Sequence, residues 1–505
     1  MYSIESAKYF YRNHKGIVLF LFVLSALRLI YISLIPLVPQ EAYYWYYSLY
    51  PDLSYFDHPP MVAYSVWIGT HLFGDTIFGI KFMAVVWSAL TNLFLYLTIL
   101  NTPALAGEEV KKKYALGAVF LYNLTIFAHL YAVTIVPDTP LIFFWVLVIF
   151  FVQRFMTNRN VSDLYLAGLA LGFGMLSKYT AIAILPAIFL AFLLDPELRR
   201  LLGKAPPYLA LAMTALIFMP VVIWNMNHDW MSLKFQFAER SQELKTIQTK
   251  YLFQLIASQL FMLTPLPLIL FLRTTGRIVR NWRENTAARF YFISGVFLIG
   301  GFTLLSLRTL IKMNWLLPAF SGLILSTILL FYRDTILQSR WIKAGVASSL
   351  LLVMIAYAIL LVPNIPLGDG NTWSGWKESA AHIAAVQSEK GGEEEVFIFA
   401  NSYKTASLLK FYLSSGQPVY AQNVYDQPAL QFDVWGLPTA LKGRDALFVF
   451  TDRHEYHPDL DKVRRYFDEI SLLFEDEYYF AGDIKTRTII CYYATNYKGK
   501  HGANE

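Results

Sequence analysis

Long apolar segments follow one another along most of the chain, from near residue 16 to residue 362. A run of about 17 to 25 mostly apolar residues is long enough to cross a bilayer as a helix. We predict about eleven such helices, at 16–38, 78–100, 114–136, 139–153, 162–177, 179–194, 206–226, 251–272, 290–307, 313–331 and 342–362. The segments 162–177 and 179–194 are short, and they could instead form one long kinked span, which would reverse the topology after them.

The pattern changes after Val362. Residues 363–380 are rich in Pro, Gly, Asn and Trp and read as a linker, whereas 381–497 alternate short apolar strand patterns with helical ones. We predict strands at 396–400, 446–451 and 486–494 and helices at 402–414 and 458–468. The fold class is therefore an α-helical polytopic membrane domain over 1–362 with a soluble α/β domain over 381–497. Residues 498–505 form a frayed tail.

Composition agrees with a membrane protein. The 505 residues are 56% hydrophobic and only 15% charged, against about 25% charged in soluble domains. The single cysteine, Cys491, excludes an internal disulfide. The net charge of +6 is spread over loops rather than clustered on a soluble module, so we do not expect a nucleic-acid partner.

Basic residues test the topology. If the N-terminus with Lys8, Arg12 and Lys15 is cytoplasmic, every later cytoplasmic loop is also basic, as the positive-inside rule requires. Five unusual stretches then share the outer side: Gln40-Glu41 with Asp57-His58, Pro137-Asp138, Ser177-Lys178-Tyr179, the loop 227–250, and Arg308 with Lys312 to Trp315. Ionisable groups at span ends facing one compartment indicate a functional site. The alternative is that outer loops hold whatever charge is left over.

Acidic candidates begin in the first outer loop, residues 39–60, where Glu41, Asp57 and His58 lie among Tyr and Trp residues. An interfacial aromatic belt would explain the rings but not these polar groups. Asp138 starts a span directly after a proline, where a carboxylate can also cap a helix. Converging carboxylates could act as a general base or bind a metal, although their spacing matches no known metal motif.

Basic and aromatic candidates suit a phosphate and a sugar. Lys178, Arg240, Arg308 and Lys312 fall in outer loops, and cationic side chains pair with phosphate oxygens. A snorkelling or solvated charge is the alternative for each. The candidates for stacking on a pyranose ring are Tyr43, Tyr44, Trp45, Trp230 and Trp315, and packing is the alternative for each. His454 and His457 do not form the zinc-protease pattern, and no glycine-rich phosphate loop is present.

Five motifs occur in an order that resembles the bacterial branch of the C-type glycosyltransferase superfamily, which is related to the protein O-mannosyltransferases and to the aminoarabinose transferase of lipid A. They are Gln40-Glu-Ala-Tyr-Tyr-Trp45, Tyr55-Phe-Asp-His-Pro-Pro60, Val136-Pro-Asp-Thr-Pro140, Leu176-Ser-Lys-Tyr-Thr180 and Asn314-Trp-Leu-Leu-Pro-Ala319. The resemblance covers the membrane part, about 360 residues.

The resemblance implies an enzyme that moves a sugar from a polyprenyl-phosphate donor to an acceptor on the periplasmic side of the bacterial inner membrane. The wording of the motifs is most similar to enzymes acting on lipid A or core lipopolysaccharide. Catalytic residues would be Glu41, Asp57 and Asp138. Substrate-binding residues would be Gln40, Tyr44, Trp45, His58, Lys178, Tyr179, Arg240, Arg308, Lys312, Asn314 and Trp315. No cofactor is required, a divalent metal is possible, and the soluble domain would be periplasmic.

One departure from the family pattern concerns the start of the first-loop motif. Many relatives have Asp-Glu where this chain has Gln40-Glu41. If the first residue of that pair is the family's base, then another carboxylate takes the role, or the acceptor is already ionised, as a lipid A phosphate is.

Three other functions fit parts of the sequence: a protein O-glycosyltransferase of the same superfamily, a transporter or flippase for a lipid-linked substrate, and a non-catalytic assembly factor. Transporters tend to show internal repeats and midplane polar groups, and neither is visible here. An assembly factor would tolerate loss of Glu41 and Asp57.

Overall fold

The computed structural model describes residues 11–499 with several gaps. Those left out are 104, 106, 237–246, 281, 283–284, 332–339, 363–374, 414, 422–428 and 452–459, and the side chain of 486. The predictions for Arg240, His454 and His457 therefore lie outside the described residues. The chain divides into two compact units, one comprising Met1–Ser33 with Asp52–Tyr357 and the other Leu34–Pro51 with Ala358–Glu505.

The first unit is helical throughout. Its helices are α1 (Lys15–Ile32), α3 (Met61–Phe73), α4 (Ile77–Leu100), α5 (Glu108–Tyr122), α6 (Ile126–Val133), α7 (Asp138–Asn158), α8 (Val161–Ser177), α9 (Leu185–Leu194), α10 (Pro196–Leu201), α11 (Ala205–Asn227), α12 (Met231–Lys234), α13 (Thr249–Leu263), α14 (Pro265–Arg280), α15 (Thr286–Leu305), α16 (Leu317–Phe331) and α17 (Arg340–Leu361). A 3-10 helix, Tyr179–Ile184, precedes α9.

Each of the eleven predicted apolar segments coincides with a helix or a helix pair, but a count of eleven spans is not confirmed. Among the described residues, six helices are long and apolar enough to cross a membrane, or up to eight if each of two bent pairs is one span. The bent pairs are α5 with α6, at 75°, and α13 with α14, at 113°. Four further apolar helices are shorter, and one of these, α3, was not predicted because its apolar run is only 13 residues long.

Small residues let membrane helices approach closely. A Cβ atom added to Gly168 on α8 would lie 2.3 Å from the carbonyl oxygen of Ala210 on α11. The Thr214 hydroxyl donates to the Gly168 carbonyl at 2.8 Å across the same contact. Because lipid tails are as apolar as the side chains, such close backbone packing and interhelical hydrogen bonds hold membrane helices together.

A buried arginine supports the break between α5 and α6. Arg28 of α1 is 2% exposed and donates to Ser88 Oγ at 2.8 Å, Asn123 Oδ1 at 3.2 Å and the Ala128 carbonyl at 3.2 Å. Its Nη2 also lies 3.3 Å from His129 Nδ1, whose Nε2 is 2.8 Å from the Asn123 carbonyl. His129 thus gives a partner to the Asn123 carbonyl, which the bent helix pair leaves without a helical one.

The second unit contains a five-stranded sheet. Its elements are α2 (Pro39–Leu49), α18 (Trp376–Glu389), β1 (Val396–Ala400), α19 (Tyr403–Tyr412), β2 (Val419–Ala421), α20 (Gln431–Trp435), β3 (Asp445–Thr451), α21 (Leu460–Arg464), β4 (Glu469–Phe480) and β5 (Ile484–Thr495). The strand order is β2-β1-β3-β5-β4, with β1 parallel to β2 and β3, and with β5 antiparallel to β3 and β4. This is the predicted α/β architecture, although β2 and β4 were missed and the helix predicted at 458–468 is only α21.

The first outer loop is not a simple connection. Residues 34–51, which include the first part of this loop, form a compact unit with the C-terminal sheet, and most of them fold as helix α2. Helix α18 begins at Trp376, inside the segment predicted as a linker. The domain boundaries at 362 and 380 stay a prediction.

Candidate functional site

Three of the predicted stretches meet at one carboxylate in the first unit. The Lys178 ammonium donates to Asp138 Oδ1 at 2.8 Å and to Oδ2 at 3.0 Å, and Asn314 Nδ2 donates to Oδ2 at 2.6 Å. Asp138 is 2% exposed and Lys178 is 8% exposed. The structure thus brings three of the five predicted stretches into direct contact. Which compartment that end faces stays a prediction.

The local sequence explains this meeting. Helix α7 begins at Asp138 after Pro137, and the carboxylate in its first turn is favoured by the helix dipole. The Asp138 carboxylate accepts hydrogen bonds from Lys178 and Asn314, so helix capping is not its main role. Lys178 has an extended backbone, with φ −162° and ψ 137°, between the end of α8 and the 3-10 helix. The break turns its side chain out of the helical path and towards Asp138.

A second cluster adjoins the first through Tyr179, the residue after Lys178. The Tyr179 hydroxyl lies 2.7 Å from Ser232 Oγ on α12. About one turn further along the same segment, Gln236 Nε2 donates to the Asp57 carbonyl at 2.8 Å, and the rings of Phe235 and Phe56 lie 4.9 Å apart. The structure therefore connects the second half of the first-loop motif to the loop that follows α11.

Within that motif, Asp57 is buried and His58 is partly buried, and His58 Nε2 lies 3.7 Å from Asp57 Oδ2. The pair attracts electrostatically when the imidazole is protonated. Asp57 is thus held beside a titratable ring, which is an arrangement suited to moving a proton or to holding an anionic group.

Sequence reasoning missed two features of the loop after α11. Trp224 Nε1 donates to Asp52 Oδ2 at 2.9 Å. This bond fixes the position of Asp52, where the chain re-enters the first unit. Asp229 and Trp230 are consecutive residues with positive φ, 51° and 59°. A bulky residue with positive φ is a backbone outlier, and such outliers cluster at functional sites. The Trp224–Asp52 contact carries no short-range sequence signal, since 172 positions separate its partners.

The remaining basic candidates lie nearby in sequence but are solvent-facing. Arg308 and Lys312 are exposed, in the stretch between α15 and α16 that also supplies Asn314. Trp315 is partly buried, with its ring 5.1 Å from that of Phe302. The structure thus brings Asn314 to the Asp138 carboxylate while leaving the two cations open to solvent.

The first-loop residues of the second unit are mostly buried. Glu41 is fully buried and accepts a hydrogen bond from the Val38 N–H at 3.1 Å, while Gln40 is exposed beside it. Tyr44 and Trp45 are both 5% exposed, and the Trp45 ring packs edge-on against Phe411 at 5.2 Å. Burial favours packing for these two rings, and their sugar-binding role stays a prediction.

The arrangement of Asp138, Lys178 and Asn314 suits a reaction that needs a carboxylate held in one position beside a buried positive charge. Lys178 and Asn314 hold the Asp138 carboxylate in one orientation, and the Lys178 ammonium group forms a buried ion pair with it. No group of three or more His, Cys, Asp or Glu side chains that could hold a metal occurs in the part of the chain that the structure describes.

Two sequence comparisons find similarity to glycosyltransferases. The family model described as dolichyl-phosphate-mannose-protein mannosyltransferase matches residues 57–224. The lipid A galacturonosyltransferase RgtD of Rhizobium johnstonii is 23% identical over 417 residues, which cover 80% of this chain and 84% of that protein.

Solved structures share the fold. ArnT from Cupriavidus metallidurans matches in the apo state with a TM-score of 0.64 and 14% identity, and bound to undecaprenyl phosphate with a TM-score of 0.64 and 16% identity. Both matches cover 94% of this chain and 98% of ArnT. The multi-pass helical fold with a C-terminal sheet unit is therefore that of ArnT.

Proposed function

We propose that this chain, which is a C-type glycosyltransferase related to the enzymes that modify lipid A, transfers a sugar from a polyprenyl-phosphate donor to lipid A or core lipopolysaccharide at the periplasmic face of the inner membrane. The similarity to RgtD makes a uronic acid the first sugar to test. The ArnT structure that holds undecaprenyl phosphate supports a polyprenyl phosphate as the carrier.

The observation that carries the proposal is the meeting of Asp138, Lys178 and Asn314 at 2.6 to 3.0 Å. These residues come from three separate motifs, and each lies at or next to a helix end. Burying an ion pair at that position costs desolvation free energy, and a polar group that is retained in spite of this cost favours a functional role.

The reaction is a displacement at the anomeric carbon. An acceptor oxygen forms a bond to that carbon while the bond to the donor phosphate breaks, and the phosphate leaves with the electron pair. Glu41, Asp57 or Asp138 orients the acceptor and takes its proton if the acceptor is a hydroxyl. The positive charges of Lys178, Arg308 and Lys312 can stabilise the leaving phosphate, and Arg308 and Lys312 are solvent-exposed.

The test is mass spectrometry of lipid A and core lipopolysaccharide from cells with the chain, without it, and with Glu41→Ala or Asp138→Asn. We expect one glycosyl-sized mass to be lost in the null strain and in at least one point variant. Purified protein should form the same product from a polyprenyl-phosphate sugar and isolated lipid A. An unchanged glycolipid profile in the null strain would contradict a lipopolysaccharide acceptor.

A protein O-glycosyltransferase is the second candidate, because the matching family model describes protein mannosyltransferases. In that case the null strain would keep its glycolipids and lose glycans from periplasmic proteins. A lipid-linked-substrate transporter forms no glycosidic bond. The purified protein would therefore leave both lipid A and periplasmic proteins without an added sugar.

A further inference from the structure

Helix α2, which carries Glu41, belongs to the second unit, and nearly all of its residues are buried. Pro39 and every residue from Glu41 to Ser48 are buried, although the helix contains five aromatic side chains and has no lipid-like apolar face. A helix of eleven residues is too short to be stable by itself, so tertiary contacts must hold it. Those contacts identify what fixes the position of Glu41.

Two tyrosine hydroxyls of α2 bond to C-terminal backbone. The Tyr43 hydroxyl accepts from the Gln431 N–H at 3.1 Å and from the Tyr47 hydroxyl at 2.7 Å. The Tyr46 hydroxyl donates to the Val419 carbonyl of β2 at 3.2 Å. These bonds tie α2 to a strand of the sheet and to the start of α20, more than 370 positions away in the chain.

Aromatic rings complete the attachment. The Tyr43 ring lies 4.5 Å from Tyr403 on α19, and the Tyr46 ring lies 5.2 Å from Trp435 on α20. Trp435 also lies 5.4 Å from Tyr50, just after the helix. Ring pairs at these separations add to the energy of burial.

Glu41 itself lies beside α19. Burial raises the pKa of Tyr412, the last residue of α19, and the nearby carboxylates of Glu378 and Glu41 raise it further. The backbone of Leu37, just before α2, also hydrogen bonds to Tyr412. Both ends of the Glu41 segment are therefore held by residues of the C-terminal part.

We propose that the C-terminal α/β unit is a scaffold for catalysis that fixes Glu41 through α2, with Tyr43, Tyr46 and Trp435 as positioning residues. This inference rests on the proposed glycosyl transfer and on Glu41 acting in it. It gives the unit a role in the rate of the chemical step rather than in recruiting the acceptor alone.

The test uses the full-length protein with Tyr43→Phe and Trp435→Leu, and with Tyr479→Phe as the matched control. Tyr43→Phe removes one oxygen atom and leaves the ring in place, so the fold should persist. Tyr479 is a half-exposed tyrosine on β4 of the same sheet, and its hydroxyl bonds to Glu477 of its own strand rather than to α2. We expect kcat to fall about tenfold in Tyr43→Phe and further in Trp435→Leu, with KM for donor and acceptor unchanged and the control like wild type.

Hydrogen exchange supplies the second measurement. Amides of residues 40–49 should exchange faster in both variants, while those of α4 keep their wild-type rates. Unchanged kcat together with an inactive Glu41→Ala variant would overturn the scaffold role and leave the proposed function standing. A fully active Glu41→Ala variant would instead remove the premise, and a rise in acceptor KM alone would assign the unit to acceptor binding and overturn the inference.

Discussion

The ammonium group of Lys178 donates to both carboxylate oxygens of Asp138, forty positions earlier in the chain, and both side chains are buried. The pair joins the start of α7 to the break after α8. Since Asn314 binds the same carboxylate, one acidic group organises three span ends. Its structural and chemical roles can be separated by experiment.

Removing one member of this pair should destabilise the protein strongly. Lys178→Met or Asp138→Asn leaves a buried charge without its partner, which costs about 3–5 kcal/mol. The double variant removes both charges and should recover much of that stability. Thermal unfolding in detergent measures the three variants against wild type.

In the Lys178 and Asp138 variants, transfer activity should not follow thermal stability. If Asp138 takes part in transfer, the double variant stays inactive although it is stable. Lys485→Met, which breaks an exposed ion pair with Glu477, serves as the control and should leave melting temperature and activity unchanged. A double variant as unstable as the singles would contradict the charge-pair explanation.

The close packing of α8 on α11 predicts a second effect. Gly168→Ala places a Cβ atom where the Ala210 carbonyl oxygen lies, so the helices must separate, at a cost of about 1–3 kcal/mol. Gly276→Ala on α14 is the matched control, because a Cβ atom there meets nothing within 4 Å. The control should be neutral or slightly stabilising, since alanine favours a helix. Equal melting temperatures for the two variants would show that the contact is looser than described.

Much of the fold could be predicted from the sequence, because burial in a membrane leaves a strong local pattern. Each apolar segment coincides with a helix or a helix pair, and the run Val396–Ala400 forms a buried interior strand of the sheet. The prediction that each of these segments crosses the membrane is not confirmed. Helix α3 is short, and the segment predicted as one span at 251–272 is bent by 113° at Thr264, directly before Pro265.

The candidate site was predictable in its parts but not in its connections. Asp138, Lys178 and Asn314 stood out because polar groups at span ends are expensive. Their mutual hydrogen bonds, and the attachment of α2 to the C-terminal sheet, depend on contacts between distant positions that no local pattern encodes. Tyr44 and Trp45 show the limit, since aromatic composition alone does not distinguish packing from sugar binding.

Arg28 should be irreplaceable by lysine. Its guanidinium group reaches Ser88, Asn123 and the Ala128 carbonyl at once, and a single ammonium group cannot match that fork. Arg28→Lys should lower stability by about 2–4 kcal/mol, because buried acceptors lose their donors. Leu27→Met, on the exposed side of α1, should leave thermal unfolding unchanged. A wild-type melting temperature for Arg28→Lys would contradict the importance of the network.

The lone cysteine predicts a pH effect in the second unit. Burial raises the pKa of the Cys491 thiol well above its ordinary value. The folded state therefore disfavours the thiolate that the unfolded chain forms readily, so this contribution to stability is present below the unfolded pKa, near 9, and is lost as the pH rises through and above it. A maleimide reagent at pH 8 should label native protein very slowly and denatured protein completely.

The substitution Gln40→Asp tests the acceptor. Gln40 is exposed next to the buried Glu41, so an added carboxylate there should fold normally. If the natural acceptor is an ionised phosphate, the new negative charge repels it, and transfer to a lipid A phosphate should fall at least tenfold. If the acceptor is a hydroxyl, the added base should maintain or raise the rate. Gln40→Glu repeats the charge with a longer side chain, and Gln40→Asn keeps the position neutral as the control. Product analysis on phosphorylated and dephosphorylated lipid A distinguishes the phosphate acceptor from the hydroxyl acceptor. Equal transfer rates for all variants on both forms of lipid A would show that Gln40 has no role in acceptor selection.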